Sequence, residues 1–338
     1  MSVRHRNVPI FIPHLGCPNQ CVFCNQRSIS GCIEFHGESV REQIESGLSR
    51  LTRGTQEIEI AFFGGSFTGI DRGLMQRLLH LAKEYVDLGR VSGIRISTRP
   101  DYISDEILDL LEASSVHHIE LGLQSMDDRV LEATRRGHTA ADAERACRAI
   151  VARGFSLTGQ MMIGLPASSA ESERMTARRI CELGAESARI YPTVVFYGTP
   201  LCEMAMRGEY EPLTLRDAVV RAADAYEIFD AAGVNCIRIG LCATEELASD
   251  AHVYAGPNHP ALGELVMSEA YYRRMLCRLE AQGLLGEQIL LEVPERELSR
   301  AIGQHRENIA RLLEQTGTRV LRIKGAEHGE IRAYKADT

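Results

Sequence analysis

The stretch FIPHLGCPNQCVFCNQRSISG, residues 11–31, places Cys17, Cys21 and Cys24 within eight positions of the chain. It follows directly on an apolar run that is typical of a β-strand. The N-terminal sequence has neither the apolar core nor the small-residue cleavage site of an export signal, so we expect a cytoplasmic protein with reduced thiols. In a reducing compartment so tight a group of thiols favours a metal site or a catalytic site over a disulfide.

The composition indicates neither a protein that attracts nucleic acid by an overall positive charge nor a membrane-spanning protein. The 338 residues carry a formal net charge of -8, so no global basic field attracts a polyanion, and any nucleic-acid contact needs a local basic patch. No run of about 18 uninterrupted apolar residues occurs, so no membrane span is expected. The length fits one large domain with an appendage, or two domains.

Apolar runs alternate with amphipathic helical patterns from residue 8 to residue 241. Most of the strand candidates are apolar on both faces, as in parallel strands that helices cover. The predicted strands are 8–15, 57–65, 93–98, 117–125, 155–166, 187–196 and 235–241. Repeated strand–helix units predict an α/β fold, namely a (β/α) TIM-like barrel, complete or partial. Its functional face should lie at the carboxyl ends of the strands.

Candidate site residues follow several of these strands. Cys17 comes after the first strand, Gly64 and Gly65 end the second, and Gln124 ends the fourth. Because the carboxyl ends of parallel strands meet at one mouth of such a barrel, we expect these residues to converge there.

The pattern changes after the last of these strands, and we divide the chain into three parts. Residues 1–255 form the predicted barrel, 256–288 a helical connection packing on the barrel, and 289–338 a small C-terminal α/β module. The module has the order strand–helix–turn–helix–strand, and from Pro294 onward nine Lys and Arg face seven Asp and Glu.

The cysteine spacing Cys-x3-Cys-x2-Cys supplies one ligand fewer than most thiolate sites need. A structural zinc ion takes four ligands, and His14 or His36 could provide the fourth. Iron–sulfur clusters also usually take four thiolates, so three would leave one iron of a four-iron cluster open. An open iron can chelate a small molecule through an amine and a carboxylate. We favour the open cluster because of the motifs that accompany the cysteines.

With Phe23 before the third cysteine, this spacing resembles the signature of the radical S-adenosylmethionine (SAM) superfamily. The resemblance implies a radical SAM barrel in which a 4Fe-4S cluster is held by Cys17, Cys21 and Cys24. It also implies that SAM binds the open iron, and that one electron from an external donor cleaves SAM to a 5′-deoxyadenosyl radical.

Three further segments resemble SAM-contacting motifs of the superfamily. Gly64, Gly65 and Ser66 resemble the glycine-rich turn that meets the SAM amino group. Residues 117–139, HHIELGLQSMDDRVLEATRRGHT, resemble a segment of two branches, the Elongator catalytic subunit and the oxygen-independent coproporphyrinogen oxidase-like proteins. Residues 159–166, GQMMIGLP, resemble the fifth-strand segment that lines the adenosine of SAM. The resemblance implies that Gln124 and Arg136 contact SAM, Arg136 at the carboxylate, and that Gln160 lies in the segment lining the adenosine.

Residues 97–102, STRPDY, and 190–220 resemble the Elongator-subunit branch, and the similarity covers about 9–242. It implies modification of an RNA substrate, a tRNA base. Ser97 stands where that family usually carries glutamate. The family also has a C-terminal acetyltransferase domain, for which we expect this chain to be too short. We therefore do not assign the family's acetyl-CoA-dependent reaction to this chain.

Residues 298–323 resemble a KH module, which clamps single-stranded nucleic acid at a Gly-x-x-Gly loop. Here that loop begins at Gly303 and Arg306 replaces the second glycine. An RNA contact around Gly303 and Arg306 is therefore one hypothesis, and a helical cap without a nucleic-acid role is the other.

We expect a radical SAM enzyme acting on RNA. Two alternatives stay open: a coproporphyrinogen oxidase-like radical enzyme on a small molecule, and a non-catalytic protein that binds a cluster or haem. Cleavage of SAM would distinguish either enzyme from the binding protein. Retention of RNA would distinguish an enzyme acting on RNA from one acting on a small molecule.

Overall fold

The computed structural model describes residues 4–12, 15–17, 21–25, 35, 39–51, 56–241, 251–317, 321–327 and 329–336. Seven parallel strands form one sheet in the order β1-β2-β3-β4-β5-β6-β8. Their bounds are β1 Arg4–Ile12, β2 Gln56–Gly64, β3 Gly93–Thr98, β4 Val116–Gln124, β5 Ser156–Ile163, β6 Ser187–Pro192 and β8 Asn235–Ile239. The predicted strands are thus confirmed, with shifts at their ends.

Helices cover the outer face of this sheet. Those with residues in the core beneath it are α1 Val40–Ser49, α2 Arg72–Asp87, α3 Asp105–Ala113, α5 Ala140–Ala152, α6 Ala170–Glu182 and α8 Leu215–Ala231. Of the other two, α4 is Asp128–Ala133, and α7, Pro200–Met206, packs in a separate small cluster with Val22 and Val195. Alternate residues of the strands, such as Ile10 and Ile60, are fully buried in the core that these helices complete. The apolar stripes of the helices therefore fix which face of each strand points outward.

Contacts across the inside of the sheet show that it curls. The guanidinium of Arg189 in β6 lies 5.7 Å from the ring centroid of Phe63 in β2, although three strands separate β2 from β6. Within the described residues no ladder joins β1 to β8. The barrel is therefore partial, a curled half-barrel with an open side and an inner face that we call the lumen.

The predicted sixth strand, 187–196, is split in two. β6 ends at Pro192, and β7 (Val195–Phe196) pairs antiparallel with β9 (Val253–Ala255). The Thr193 N–H donates to the Ile163 carbonyl at 3.0 Å, which continues the ladder between β5 and β6 by one bond beyond Pro192, and the Thr193 hydroxyl donates to the same oxygen at 2.8 Å. Beyond Thr193 the chain leaves this sheet and pairs with β9 instead.

The C-terminal module is a three-stranded sheet with two short helices. β10 (Ile289–Pro294) lies between parallel β11 (Leu321–Ala326) and antiparallel β12 (Arg332–Lys335), and α10 (Leu298–Ile302) and α11 (Glu307–Thr316) connect β10 to β11. The sequence did not predict β12, whose residues are mostly exposed and lack an apolar run.

A long helix, α9 (Leu262–Ala281), joins the half-barrel to the module. Leu262 and Val266 are buried in the barrel core, whereas Met275 and Leu279 are buried in the core of the module. The domain boundaries at residues 255 and 288 stay a prediction, since α9 contributes to both cores. Among the described residues no helix combines the length and the apolarity that crossing a membrane requires.

We predict that Gly47→Ala destabilises the protein although alanine favours helices by about 1 kcal/mol over glycine. A Cβ on Gly47 in α1 would lie 2.5 Å from Cγ1 of buried Val8, so α1 would be pushed off β1. The matched control is Gly73→Ala in α2, where the nearest atoms, on the side chains of Arg77 and Asp71, are 3.3 Å away. Urea unfolding measures both, and a Gly47→Ala variant as stable as Gly73→Ala would contradict this packing.

Candidate functional site

The loop that carries Cys17 is attached to the turn after β2 through the main chain. The N–H of Gly65 donates to the Ile12 carbonyl at 2.9 Å, and the N–H of Ser66 donates to the Leu15 carbonyl at 3.0 Å. The carboxyl ends of β1 and β2 therefore hold the cysteine loop and the glycine turn as one unit.

Glycines make this close approach possible. A Cβ on Gly65 would lie 2.0 Å from the Leu15 carbonyl oxygen, and a Cβ on Gly16 would lie 2.1 Å from the Ser66 carbonyl oxygen. Gly64 has a φ of +116° and faces the Ile12 carbonyl in the same way. We predicted that Gly64 and Gly65 allow a ligand to approach the main chain, and in the structure they also allow the two chain segments to pack closely. Their contact with SAM stays a prediction.

The hydroxyl of Ser66 is engaged inside the protein. Ser66 is only 1% exposed, and its Oγ lies 2.8 Å from Oγ1 of Thr98 at the end of β3. Oγ1 of Thr68 approaches the same Thr98 oxygen at 2.6 Å. The contact of Ser66 with SAM stays a prediction.

The second half of the cysteine loop is held from the other side of the mouth. Val22, between Cys21 and Cys24, donates its N–H to the Thr134 carbonyl at 3.1 Å and accepts from the Leu201 N–H at 2.9 Å. Its side chain is buried against Val195 and Leu201, and Phe23 packs on the same small cluster. The aromatic residue before the third cysteine is thus an anchor for the loop.

Two guanidinium groups lie beside Cys21. Nη1 of Arg136 is 3.4 Å from the Cys21 Sγ, and Nη1 of Arg99 is 3.9 Å from it. Arg99 is held by a bidentate pair with Asp101, at 2.9 and 2.8 Å, and donates to the Arg136 carbonyl at 2.6 Å. Sequence reasoning missed Arg99, although it stands directly after a buried strand on the functional face, in the quoted STRPDY segment.

Burial raises the pKa of the Cys17 thiol, and the nearby charges of Arg136 and Arg99 act against that rise. Within the described residues no three His, Cys, Asp or Glu side chains form a site for a single metal ion. A cluster differs from such a site because each thiolate binds a different iron. His14 and His36, the candidate fourth ligands for zinc, lie outside the described residues.

Gln124 and Arg136 present unsatisfied polar atoms at this mouth. Gln124 ends β4 beyond a register shift, with a φ of +67° that is uncommon for a residue with a side chain. Its Oε1 and the Nε of Arg136 are buried and have no hydrogen-bond partner among the described residues. A Cβ on Gly122 would lie 3.0 Å from Arg136 Nη2 and 3.1 Å from Gln124 Nε2, so glycine leaves room for both. Buried polar groups without partners indicate a polar ligand. A ligand carboxylate would accept from the Arg136 Nε–H, and a ligand amine would donate to the Gln124 Oε1.

Below the mouth, charged residues line the lumen where TIM barrels usually carry branched apolar side chains. Arg95 binds Glu59 at 2.9 Å and Glu120 at 3.0 Å, and Arg189 binds Glu120 at 2.7 Å. Gln160, which we predicted to lie in the segment lining the adenosine, donates to Glu120 at 3.3 Å and so belongs to this network. The signal in the sequence was a charged residue inside several otherwise apolar strands.

Comparisons with known proteins point to one superfamily. The family model described as Radical SAM superfamily matches residues 11–180, and the Radical_SAM C-terminal domain matches residues 185–273. The structure of Elp3 from the archaeon Methanocaldococcus infernus, with an N-terminal deletion, superposes with a TM-score of 0.60 at 22% identity. The superposition covers 84% of this chain and 64% of that chain, and it supports the fold.

Two relatives from Methanocaldococcus jannaschii are similar in sequence. The uncharacterized protein MJ0486 is 31% identical over 225 residues, which is 63% of this chain and 69% of the relative. The tRNA uridine(34) acetyltransferase is 28% identical over 192 residues, 51% of this chain. This chain matches only 36% of that acetyltransferase's length.

We predict that Gly65→Ala separates the glycine turn from the cysteine loop. A methyl group 2.0 Å from a main-chain oxygen cannot be relieved by a side-chain rotation, and overpacking of this kind costs about 1–3 kcal/mol. Hydrogen exchange should accelerate at the amides of residues 65 and 66. Gly329→Ala, with no atom within 4 Å of the added Cβ, is the matched control. Unchanged protection of these amides would contradict the contact.

Proposed function

Because the chain belongs to the radical SAM superfamily, we propose that Cys17, Cys21 and Cys24 hold the superfamily's 4Fe-4S cluster, that SAM binds beside it, and that the enzyme modifies a base of an RNA. The observation that carries the cofactor part is the convergence of Cys21, Arg136 and the unpaired Gln124 at one mouth. Together the cluster and SAM supply one-electron cleavage of a carbon–sulfur bond and abstraction of a hydrogen atom.

The arginines give the cysteines a suitable electrostatic environment. Cysteine binds iron as a thiolate, and burial alone disfavours that anion at Cys17. Arg136 and Arg99 place two fixed positive charges beside Cys21. Because two hydrogen bonds to the Asp101 carboxylate hold Arg99 in place, its guanidinium need not move when a cluster binds.

The SAM-binding role is divided between side chains and main chain. The free Nε–H of Arg136 suits a carboxylate, and the Oε1 of Gln124 can accept from an N–H or O–H of the ligand. Gly64, Gly65 and Ser66 contribute through main-chain carbonyls, because the N–H groups of Gly65 and Ser66 already bind Ile12 and Leu15 and the Ser66 hydroxyl binds Thr98. Gln160 lines the adenosine end from β5.

The relatives and the C-terminal module support RNA as the substrate class. One relative is named a tRNA uridine(34) acetyltransferase, and another, 32% identical over 135 residues, is named Elongator complex protein 3 of Schizosaccharomyces pombe. The relatives do not favour a porphyrinogen. The part of the acetyltransferase that this chain matches is about a third of its length, so the group added to the base is left open.

In the module, a groove of about 520 Å³ runs between α10, α11 and β11. Its floor is apolar, and its cationic residues are Arg306, Arg322 and Lys324. Arg306 has a φ of +62°, the left-handed region that favours glycine. The position therefore has the backbone of a Gly-x-x-Gly loop, while its side chain adds a cation for a phosphate.

We predict that Cys21→Ala abolishes cluster binding. Anaerobically reconstituted variant should lose most of its iron, sulfide and visible absorbance, and should form no 5′-deoxyadenosine from SAM, because one of three ligands is gone. The matched control is Cys277→Ala, an exposed cysteine on α9. Bound zinc in the wild type, or wild-type iron content in Cys21→Ala, would refute the assignment.

We predict that Arg306→Gly weakens RNA binding without unfolding the module, because glycine suits the left-handed backbone at that position. Loss of one phosphate contact should reduce the slope of log affinity against log salt by about 1. Arg145→Ala on α5 removes a solvent-exposed cation of the barrel and serves as control. Filter binding with unfractionated tRNA measures both, and an unchanged slope would count against this contact.

A further inference from the structure

An aromatic side chain is exposed on the inner face of the half-barrel. Phe11 in β1 is 38% exposed, while its neighbours Ile10 and Ile12 are 0% and 2% exposed against the outer helices. Because side chains alternate along a strand, Phe11 lies on the lumen side. An exposed aromatic ring there is not needed for the core that the helices complete.

A second ring and a cation extend this surface. Phe63 in β2 is the register partner of Phe11, and the two ring centroids are 6.3 Å apart at 45°. The Arg189 guanidinium lies 5.7 Å from the Phe63 centroid. Phe63 is therefore covered by Arg189, whereas Phe11 keeps exposed ring surface available for stacking.

Hydrogen-bond donors stand on the opposite wall. Arg189 is held by Glu120 at 2.7 Å, and its Nη1 lies 3.4 Å from the hydroxyl of Tyr191 on the same strand. Its Nε is buried and has no partner among the described residues. A side chain fixed at one end with an unpaired N–H at the other is suited to recognise an acceptor on a ligand.

We propose that Phe11, Phe63, Arg189 and Tyr191 form the seat of the substrate base. A planar heteroaromatic ring would stack on Phe11 and direct a carbonyl edge toward Arg189 and Tyr191. The proposal rests on the RNA function proposed above and deepens it, because it assigns the residues that receive the base.

Charge and position both fit a neutral base. Arg95 and Arg189 are each paired with a carboxylate, so neither guanidinium is an uncompensated charge that would attract a polycarboxylate. Phe11 immediately precedes Ile12, whose carbonyl binds the glycine turn at Gly65. The seat is thus adjacent to the proposed cofactor site, where a base must lie for a hydrogen atom to be abstracted.

The test uses the reconstituted holoenzyme, SAM, and tRNA transcripts that carry 4-thiouridine in place of uridine. Near-ultraviolet irradiation followed by mass spectrometry should locate cross-links in the peptides containing Phe11 or Tyr191. Phe11→Leu should lower the yield of these cross-links about tenfold, since base–aromatic stacking is worth about 1–3 kcal/mol. Phe11→Tyr, which keeps a ring, should retain them.

Controls separate this seat from the cofactor site and from the RNA function itself. Tyr254→Leu changes an aromatic residue of matched exposure, 37%, on β9 and should have no effect. Phe11→Leu should keep wild-type iron content and SAM cleavage in the absence of RNA, and loss of either would assign Phe11 to the cofactor and overturn the seat.

Cross-links confined to the C-terminal module, or unchanged by Phe11→Leu, would overturn the seat while leaving the RNA function. Absence of any RNA retention by the wild type would overturn the RNA function and this inference with it.

Discussion

The contact between two loop backbones, at the carboxyl ends of β1 and β2, is the constraint on which the site depends. The N–H groups of residues 65 and 66 bind the carbonyls of Ile12 and Leu15, and the glycines at 16, 64 and 65 leave no Cβ between the chains. Three cysteines on a free loop would sample many arrangements. Attachment of the loop at its start to β2, and at Val22 to the region around Thr134 and Leu201, restricts them to one mouth.

The two arginines at the mouth would offset the cost of burying a cysteine thiolate there. Taking a thiolate out of water is costly, and it is tolerable when opposite charges are already fixed nearby. Arg99 and Arg136 are both nearly buried, and each is oriented by a hydrogen bond that does not involve cysteine, to Asp101 and to the Gly122 carbonyl. Preorganised charge of this kind requires no side-chain reorganisation when the ligand arrives.

The lumen follows a different rule from the outer core. Outward-facing residues of the strands are apolar and pack on helices, whereas inward-facing ones form a network of Glu59, Arg95, Glu120 and Arg189. Glu59, Arg95 and Glu120 are buried, so each of these charges needs an oppositely charged partner within hydrogen-bond distance, which the network supplies. Such a network also fixes the positions of Arg189 and Gln160, which an apolar lumen could not do.

The sequence by itself determined the alternation of strands and helices, the parallel sheet, and the grouping of Cys17, Gly64 and Gln124 at the strand ends. These features depend on local periodicity and on the chemistry of residues close together in the chain. It did not reveal the short β12, whose stability comes from pairing with β10, or the break after β6, beyond which β7 pairs with β9.

Only the tertiary structure decided that the barrel is open, that Arg99 stands beside Cys21, 78 positions away, and that Arg189 covers Phe63. It also decided that the hydroxyl of Ser66 belongs to Thr98. The physical reason is the same in each case: these contacts join residues distant in sequence, and the curl of the sheet, which no local pattern encodes, sets which of them meet.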